Sequence, residues 1–427
     1  MPDAEDWLHA LENLTPAVLT GEFVVVTPMF ISDGEQNTRS IRPPSIKGAL
    51  RFWWRALHWG RCLAHTRHFT SALQDLHRRE ARLFGLATKD DTGGQGLFTL
   101  KVQQANHKAE RAWKPQSGQQ YLLGQGLYHY NDGLLRDYLP PKTRFSVELI
   151  FHRDVAEDER NGLEDALVLW GLLGGLGSRA RKGLGSVSLQ QLSGGRHIAP
   201  RNRSEYHALL QRLLHESLGP WDQWPQSLPP FTAFSQHTRI DHFTGTANDP
   251  WIVLNEVGES MQMYRSWGLN GQVNGLEAEK NFPTDHHEAL RVIDGGRPRH
   301  APQRAIFGLP HNYYFSSKKT VVEVNVAKQA SATGERRASP LFIHLHQCPD
   351  QSCFAVQTLL AAEFLPQAYG SYSPQLKYKA GKTVVHYPYS ATDADWQVVH
   401  TYLDRFKTPN WETLFPAQFG GLADGNR

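Results

Sequence analysis

The sequence predicts an α+β fold, and its first half has the order strand, helix, two strands, helix, strand of a ferredoxin-like βαββαβ domain with insertions. Three observations carry this prediction. Short β-branched and aromatic runs alternate with amphipathic stretches of helical period. The chain has 36 Gly and 25 Pro in 427 residues, which suits a loop-rich architecture better than a helical bundle. Hydrophobic residues make up 40% of it, enough for real cores in two or three domains.

The elements follow in order. Residues 18–30 read as a strand around Phe23-Val24-Val25-Val26-Thr27, ended by Pro28. After a polar segment closed by Pro43-Pro44, Ser45 is placed to cap a helix running to about residue 64. A second helical stretch over 71–84 stops before Gly85. Strands are expected over 96–104 and 142–152, with a Gln/Gly-rich excursion between them that reads as a hairpin arm. A helix over 157–173, a glycine-rich stretch and a strand over 186–192 complete the set.

The expected division is an N-terminal domain over 15–195, a linker over 196–230 and a second domain over 231–427. In the second domain, strands are expected near 231–240, 320–326, 341–346 and 354–359, and helices near 257–267, 286–292 and 392–406. These resemble a degraded second copy of the same topology, although the element count alone does not establish it.

The formal charge of +3 is mildly basic and does not by itself imply nucleic-acid binding. Cys62, Cys348 and Cys353 suggest neither a disulfide framework nor a zinc set, so a reducing cytoplasm is expected. The acidic start (Asp3, Glu5, Asp6, Glu12) is unlike a secretory leader, and no apolar run approaches membrane-spanning length.

The position of the charge is more informative. From Gln36 to Gln74 there is no Asp or Glu, while Arg39, Arg42, Lys47, Arg51, Arg55, Arg61 and Arg67 fall in that interval. Within the expected helix, Ile46, Leu50, Trp53, Trp54 and Leu57 have the spacing of a buried face. Lys47, Arg51, Arg55 and His58 form a stripe beside it. The first turn, Ser45 to Gly48, offers free backbone N–H groups, and Gly48 leaves room for a phosphate. The plainer reading is a solvated helix whose arginines pair with acids elsewhere. The acid-free flanks favour an anion-binding surface. For Trp53 and Trp54 the spacing favours the core over base stacking.

The stretch Gly174-Gly175-Leu176-Gly177-Ser178-Arg179-Ala180-Arg181-Lys182-Gly183-Leu184-Gly185-Ser186 is the most specific local feature. It follows a helix and precedes a strand, the reverse of a dinucleotide-binding turn, so no nucleotide cofactor is expected. A plain turn needs one or two glycines. Here glycines interleave with Arg179, Arg181 and Lys182, an arrangement that brings bare backbone and positive charge near an extended polyanion.

The segment Arg42-Pro43-Pro44-Ser45-Ile46-Lys47-Gly48-Ala49-Leu50-Arg51-Phe52-Trp53-Trp54-Arg55 resembles the signature of the first Cmr subunit of type III-B CRISPR effector complexes. The glycine-rich stretch resembles the loop shared by the RAMP superfamily. Residues 305–310 and 336–341 fit the same family. The resemblance implies RAMP architecture with two ferredoxin-like, RRM-like domains. It also implies membership of a multi-subunit complex that holds CRISPR guide RNA, target RNA or both in antiviral defence. By analogy Arg39, Arg42, Ser45, Lys47, Gly48, Arg51 and Arg55 would line an RNA groove with Gly177, Ser178, Arg179, Arg181, Lys182 and Gly183. Insertions are expected near 103–120 and 268–304.

Some relatives in the superfamily are metal-independent ribonucleases, and a histidine beside the groove would be the route to such chemistry. His65-x-x-His68 lacks the carboxylate of a metal motif, so no metal site is expected. His344 and His346 alternate on a strand and are expected to face solvent or a subunit interface. No catalytic residue, cofactor or membrane partner is expected. A purely structural assembly subunit is the third reading.

Overall fold

The computed structural model describes residues 17–32, 40–87, 94–105, 108–152, 154–219, 227–327, 335–365, 373–406 and 411–415. Arg39 lies outside them. The chain is a mixed α/β fold with several antiparallel sheets.

The first sheet joins β1 (Val18–Val25), β2 (Phe98–Gln104), β3 (Arg144–Phe151) and β4 (Val187–Ser193) in the order β2-β3-β1-β4. Its pairs are antiparallel, with Phe23 opposite Phe145 and the two rings stacked 5.4 Å apart. Alternation is strict on β3, so one face of each strand enters the core. Against that face lie α1 (Pro43–Thr66) and α4 (Glu157–Leu173), with α2 (Phe69–Phe84) beside α1.

The helix α1 begins two residues before the expected cap. Arg42 is its extended N-cap, and Pro43 supplies a preset φ at a position whose N–H needs no partner. Ser45 is therefore inside the first turn. The tryptophans behave as their spacing predicts, Trp53 and Trp54 both buried. The helix α4 occupies the expected residues, and Glu159 accepts from the Ala156 N–H at its start. The excursion after β2 contains the short helix α3 (Ser117–Leu123) and a two-residue strand pair, Tyr128–His129 with Gly133–Leu134.

The segment expected as a linker contains a helix, α5 (Arg203–Leu218), capped by Asn202 and burying Tyr206, Leu209, Leu210, Leu213 and Leu214. Its polar flanks hid a core-facing period.

The second half repeats the first sheet's order. It contains β5 (Thr238–Phe243), α6 (Pro250–Arg265), β8 (Leu341–Gln347), β9 (Cys353–Leu360), α8 (Gln397–Asp404) and β12 (Trp411–Phe415), with strands in the order β8-β9-β5-β12. Between α6 and β8 come α7 (Pro283–Ile293) and the strands β6 (His311–Phe315) and β7 (Thr320–Val326). They join β10 (Gln375–Ala380) and β11 (Thr383–Pro388) in a third sheet. Among these, β6, β10, β11 and β12 were not anticipated.

The two halves are laced together where β4 meets β8. Ser186 Oγ and Ser188 Oγ accept from the backbone N–H groups of Leu345 and Gln347 at 3.1 and 3.0 Å, and Gln190 Nε2 donates to Gln347 O. This seam explains a correction: His344 and His346, expected to face outward, are 1% and 0% exposed. His344 Nδ1 bonds the Gly174 carbonyl at 2.7 Å, and burial pushes its pKa down to about 3.

Candidate nucleic-acid interface

The glycine-rich loop runs along this seam, and positive φ angles shape it. Gly177 (φ +89°) lies against the Phe30 carbonyl, which an added Cβ would approach to 2.5 Å. The Ser178 N–H donates to that same carbonyl at 2.8 Å. Gly183 (φ +80°) packs against Leu254, Ile343 and Leu345 of the second half, and its carbonyl accepts from Thr27 Oγ1 at 2.6 Å. A side chain at either position would force the loop off the seam.

The three loop cations go to different places. Arg181 is turned inward: Nη1 donates to Ser339 O at 2.6 Å, and its guanidinium lies between the rings of Phe342 (4.4 Å) and Phe52 (5.2 Å). Burial, then Arg337, lowers its pKa to about 10. Its position welds α1 to β8, and the guanidinium expected to neutralise a phosphate is committed to a backbone carbonyl and two rings. Lys182 is also turned in, toward α6, where among the described residues its ammonium meets only Met261 Sδ, at 3.6 Å. Arg179 remains exposed, held at φ +65°.

Lys182 is not alone. Burial, then Arg265 and Arg179, drive its pKa well below the ordinary lysine value. For Arg179, partial desolvation of the guanidinium where it lies against Gly124, then Arg336, lowers the pKa although the side chain as a whole is exposed. Arg265 lies over Phe307 at 4.8 Å and donates from Nη2 to His311 Nδ1 at 3.4 Å. A guanidinium only donates, so Nδ1 of His311 is the acceptor and its proton sits on Nε2, which has no partner. Burial, then Arg304, Arg265 and Lys182, pushes the His311 pKa well down.

The one carboxylate here, Asp285, is committed to Arg304 Nε (3.2 Å), the backbone N–H groups of Gln303 and Arg304, and Tyr313 OH. Among the described residues no carboxylate pairs with Arg179, Lys182 or Arg265. The result is a file of cations, from exposed Arg336 and Arg179 inward through Lys182 to Arg265, with too little negative charge around it. Arg265, Arg304, Arg336 and His311 lie apart in sequence, and of these only Arg336 falls in a segment, 336–341, that the sequence singles out.

The basic helix differs. Arg51 Nε is 3.2 Å and Arg55 Nε 3.6 Å from the Glu80 carboxylate on α2, just beyond the acid-free interval. Arg51 also donates to Gly85 O at 3.1 Å and covers Phe84. Lys47 lies over Phe98 at 5.4 Å, its pKa lowered by burial and then by Arg51. Arg42 and Gly48 are exposed, and nothing occupies the space beside Gly48. The first turn contains no acid and its N-cap makes no side-chain bond. His58, on the same helix, is stacked on Trp54 at 4.2 Å with a pKa lowered to about 4 by burial.

Residues 22–188 match the RAMP superfamily, a span from the first strand through the glycine-rich loop. The CRISPR system Cmr subunit Cmr1-1 of Pyrococcus furiosus is 26% identical over 239 residues, 52% of this chain. The match spans 65% of that relative, less than two thirds of its length. The chain shares its fold with the crystal structure of apo Cmr1 from Pyrococcus furiosus at a TM-score of 0.50 and 18% identity, covering 94% of this chain and 99% of that one. A chain from the cryo-EM structure of Type III-B Cmr-beta bound to cognate target RNA gives a TM-score of 0.48 at 11% identity, over 92% and 99% of the two chains. That likeness is too slight to carry further weight.

Proposed function

We propose that this chain, which matches the RAMP superfamily over residues 22–188 and resembles the first Cmr subunit, is a non-catalytic RNA-binding subunit of a type III-B CRISPR effector complex. Its ligand would be the guide RNA, the target RNA or both, and its protein partners the other Cmr/RAMP subunits, in the cytoplasm. In this reading the two halves, 15–195 and 231–427, are two ferredoxin-like domains. The shared strand order of the two sheets supports that assignment.

One observation carries the reading: among the described residues, no carboxylate pairs with Arg179, Lys182 or Arg265 in the file of cations beside the glycine-rich loop. Unbalanced buried charge costs stability and is retained where a ligand supplies the opposite sign. An RNA backbone does so without reading bases. Arg179 and Lys182, with Gly177 and Ser178, would meet phosphates together with Arg265 and Arg336. The first turn of α1 (Ser45, Lys47, Gly48), with Arg39 and Arg42, would extend the track. Arg181 and Gly183 hold the seam, while Arg51 and Arg55 are partly neutralised.

The test is binding to a labelled single-stranded RNA of guide length across a salt series, with a denaturing gel run after incubation in EDTA. The expected result is intact RNA and a log–log salt slope on the order of −2 to −4, at about 0.7 per phosphate neutralised. A flat salt response would refute the phosphate track. Cleavage in EDTA would replace the reading with a metal-independent ribonuclease.

A further inference from the structure

Away from the cation file, three side chains converge at the edge of the second sheet. His242 on β5 and Glu412 on β12 are direct cross-strand partners, and on the same side α5 brings down His207. One ligand atom from each lies within 4.8 Å of the others. His207 Nδ1 is 3.3 Å from Glu412 Oε2. That is the edge of a tetrahedron whose bonds to a central ion are roughly 2.0–2.1 Å long. We propose that His207, His242 and Glu412 form a binding site for a borderline divalent cation of the zinc class, pinning the last strand and α5 to the second sheet.

A second, independent observation points to a ligand. His242 is 3% exposed, and its Nδ1 is buried with no hydrogen-bond partner among the described residues. A buried imidazole nitrogen left bare has lost its water and gained nothing in return. Aromatic packing accounts for part of the arrangement, with His242 edge-on to His207 at 4.9 Å and to Phe354 at 4.7 Å, but it does not satisfy that nitrogen. Glu412 is exposed on its outer side, which gives an ion a way in and leaves a position for water.

The surroundings select the kind of ion. Arg203 approaches through Thr244, donating to Thr244 Oγ1 at 3.0 Å, and that hydroxyl is 3.4 Å from His242 Nε2. A guanidinium so near opposes a hard cation held by charge alone. Two imidazoles and one carboxylate instead suit zinc or cobalt, whose bonds to nitrogen are strong and directional. Calcium and magnesium want more oxygens than are here. The site would act as a clip for β12, an edge strand of five residues whose only sheet neighbour among the described strands is β5. This inference does not depend on RNA binding.

The experiment is titration of the metal-free protein with Zn²⁺ and, in parallel, Co²⁺ read by visible absorption, on wild type, His207→Gln, His242→Gln and Glu412→Gln. Wild type should take up one more equivalent than His242→Gln, show cobalt bands of a four- or five-coordinate nitrogen–oxygen site, and melt a few degrees higher with Zn²⁺ in excess. Glu412→Gln, a change at a half-exposed side chain, should keep the fold, weaken zinc about tenfold or more, and leave RNA affinity unchanged. Equal stoichiometry and unchanged spectra in all three variants would overturn the proposal. So would wild-type protein that takes up no zinc and melts at the same temperature with and without it.

Discussion

Two basic segments look alike in the sequence and fare differently in the fold. Both the α1 region and the glycine-rich loop are cationic and lie in acid-free intervals, 36–74 and 166–204. In three dimensions Arg51 and Arg55 meet Glu80, one helix further on, at 3.2 and 3.6 Å. The charges that act on Arg179 and Lys182 are instead those of Arg336 and Arg265. The lesson is that an acid-free run in sequence does not guarantee an acid-free neighbourhood. A stripe of arginines on a helix is easily answered by the next helix, because packed helices bring rows of side chains together. A loop fixed by positive φ angles at a seam takes its neighbours from distant parts of the chain. Here they are cations.

The largest effect should come from removing both sets in parallel. Arg179/Lys182/Arg265→Ala is expected to weaken RNA binding roughly 100-fold or more, since two lost charge-assisted contacts suffice at about 1.5–3 kcal/mol each. It should also flatten the salt slope by about 2. Lys47/Arg51/Arg55→Ala is expected to cost less than the loop triple and about 1.4 of slope, because Glu80 already offsets one of its three charges. Filter binding at several salt concentrations checks both. If the helix triple costs more than the loop triple, the comparison is reversed.

A smaller effect tests whether the file is strained. The Lys182 ammonium is buried among arginines, with its folded pKa well below the unfolded value. The folded state therefore holds fewer protons than the unfolded state between those two values, and stability rises with pH across that window. Below the window the cost of the buried charge is fully present. Lys182→Met should therefore stabilise the protein at neutral pH by on the order of 1 kcal/mol while weakening RNA binding. The gain should shrink as the pH approaches 10, as read by urea unfolding at pH 7 and pH 10. A loss of stability at neutral pH would mean that the ammonium is paying its way structurally.

How much of this was legible in the sequence follows the same division. The first sheet and its helices were readable because their signals are local: an apolar stripe on α1, Glu159 at the start of α4, alternation on β3. The strands β10 and β11 were not, because Lys377, Lys379 and Lys382 crowd a hairpin of which only one face is covered. The helix α5 was hidden by polar flanks, although Leu209, Leu210, Leu213 and Leu214 carry its period. At the interface, the loop's identity was legible but its orientation was not. Alternation could not reveal that β8 is buried on both faces, nor could spacing reveal that Arg181 turns inward. Arg265 and Arg304 are single arginines in unremarkable surroundings, and only the fold brings them to the loop.

The finest test alters the acid rather than the bases. Glu80 is nearly buried, yet Arg51 Nε, though close to it, has no hydrogen-bond partner. The pair is held by proximity more than by aim, so it should be worth at most about 1 kcal/mol to stability. Glu80→Gln keeps the shape of the side chain and removes its charge. If the helix differs from the loop only because this carboxylate answers it, the variant should bind RNA about two- to fivefold more tightly. That corresponds to one charge at roughly 5 Å from a phosphate in water, about 0.5–1 kcal/mol. The salt slope should steepen by about 0.7 as Arg51 and Arg55 become available. Unchanged affinity in Glu80→Gln would mean that the helix stripe does not face the RNA at all. The track would then be confined to the loop, Lys182 and Arg265, and the first turn of α1 would have to be judged on Lys47 and Arg42 alone.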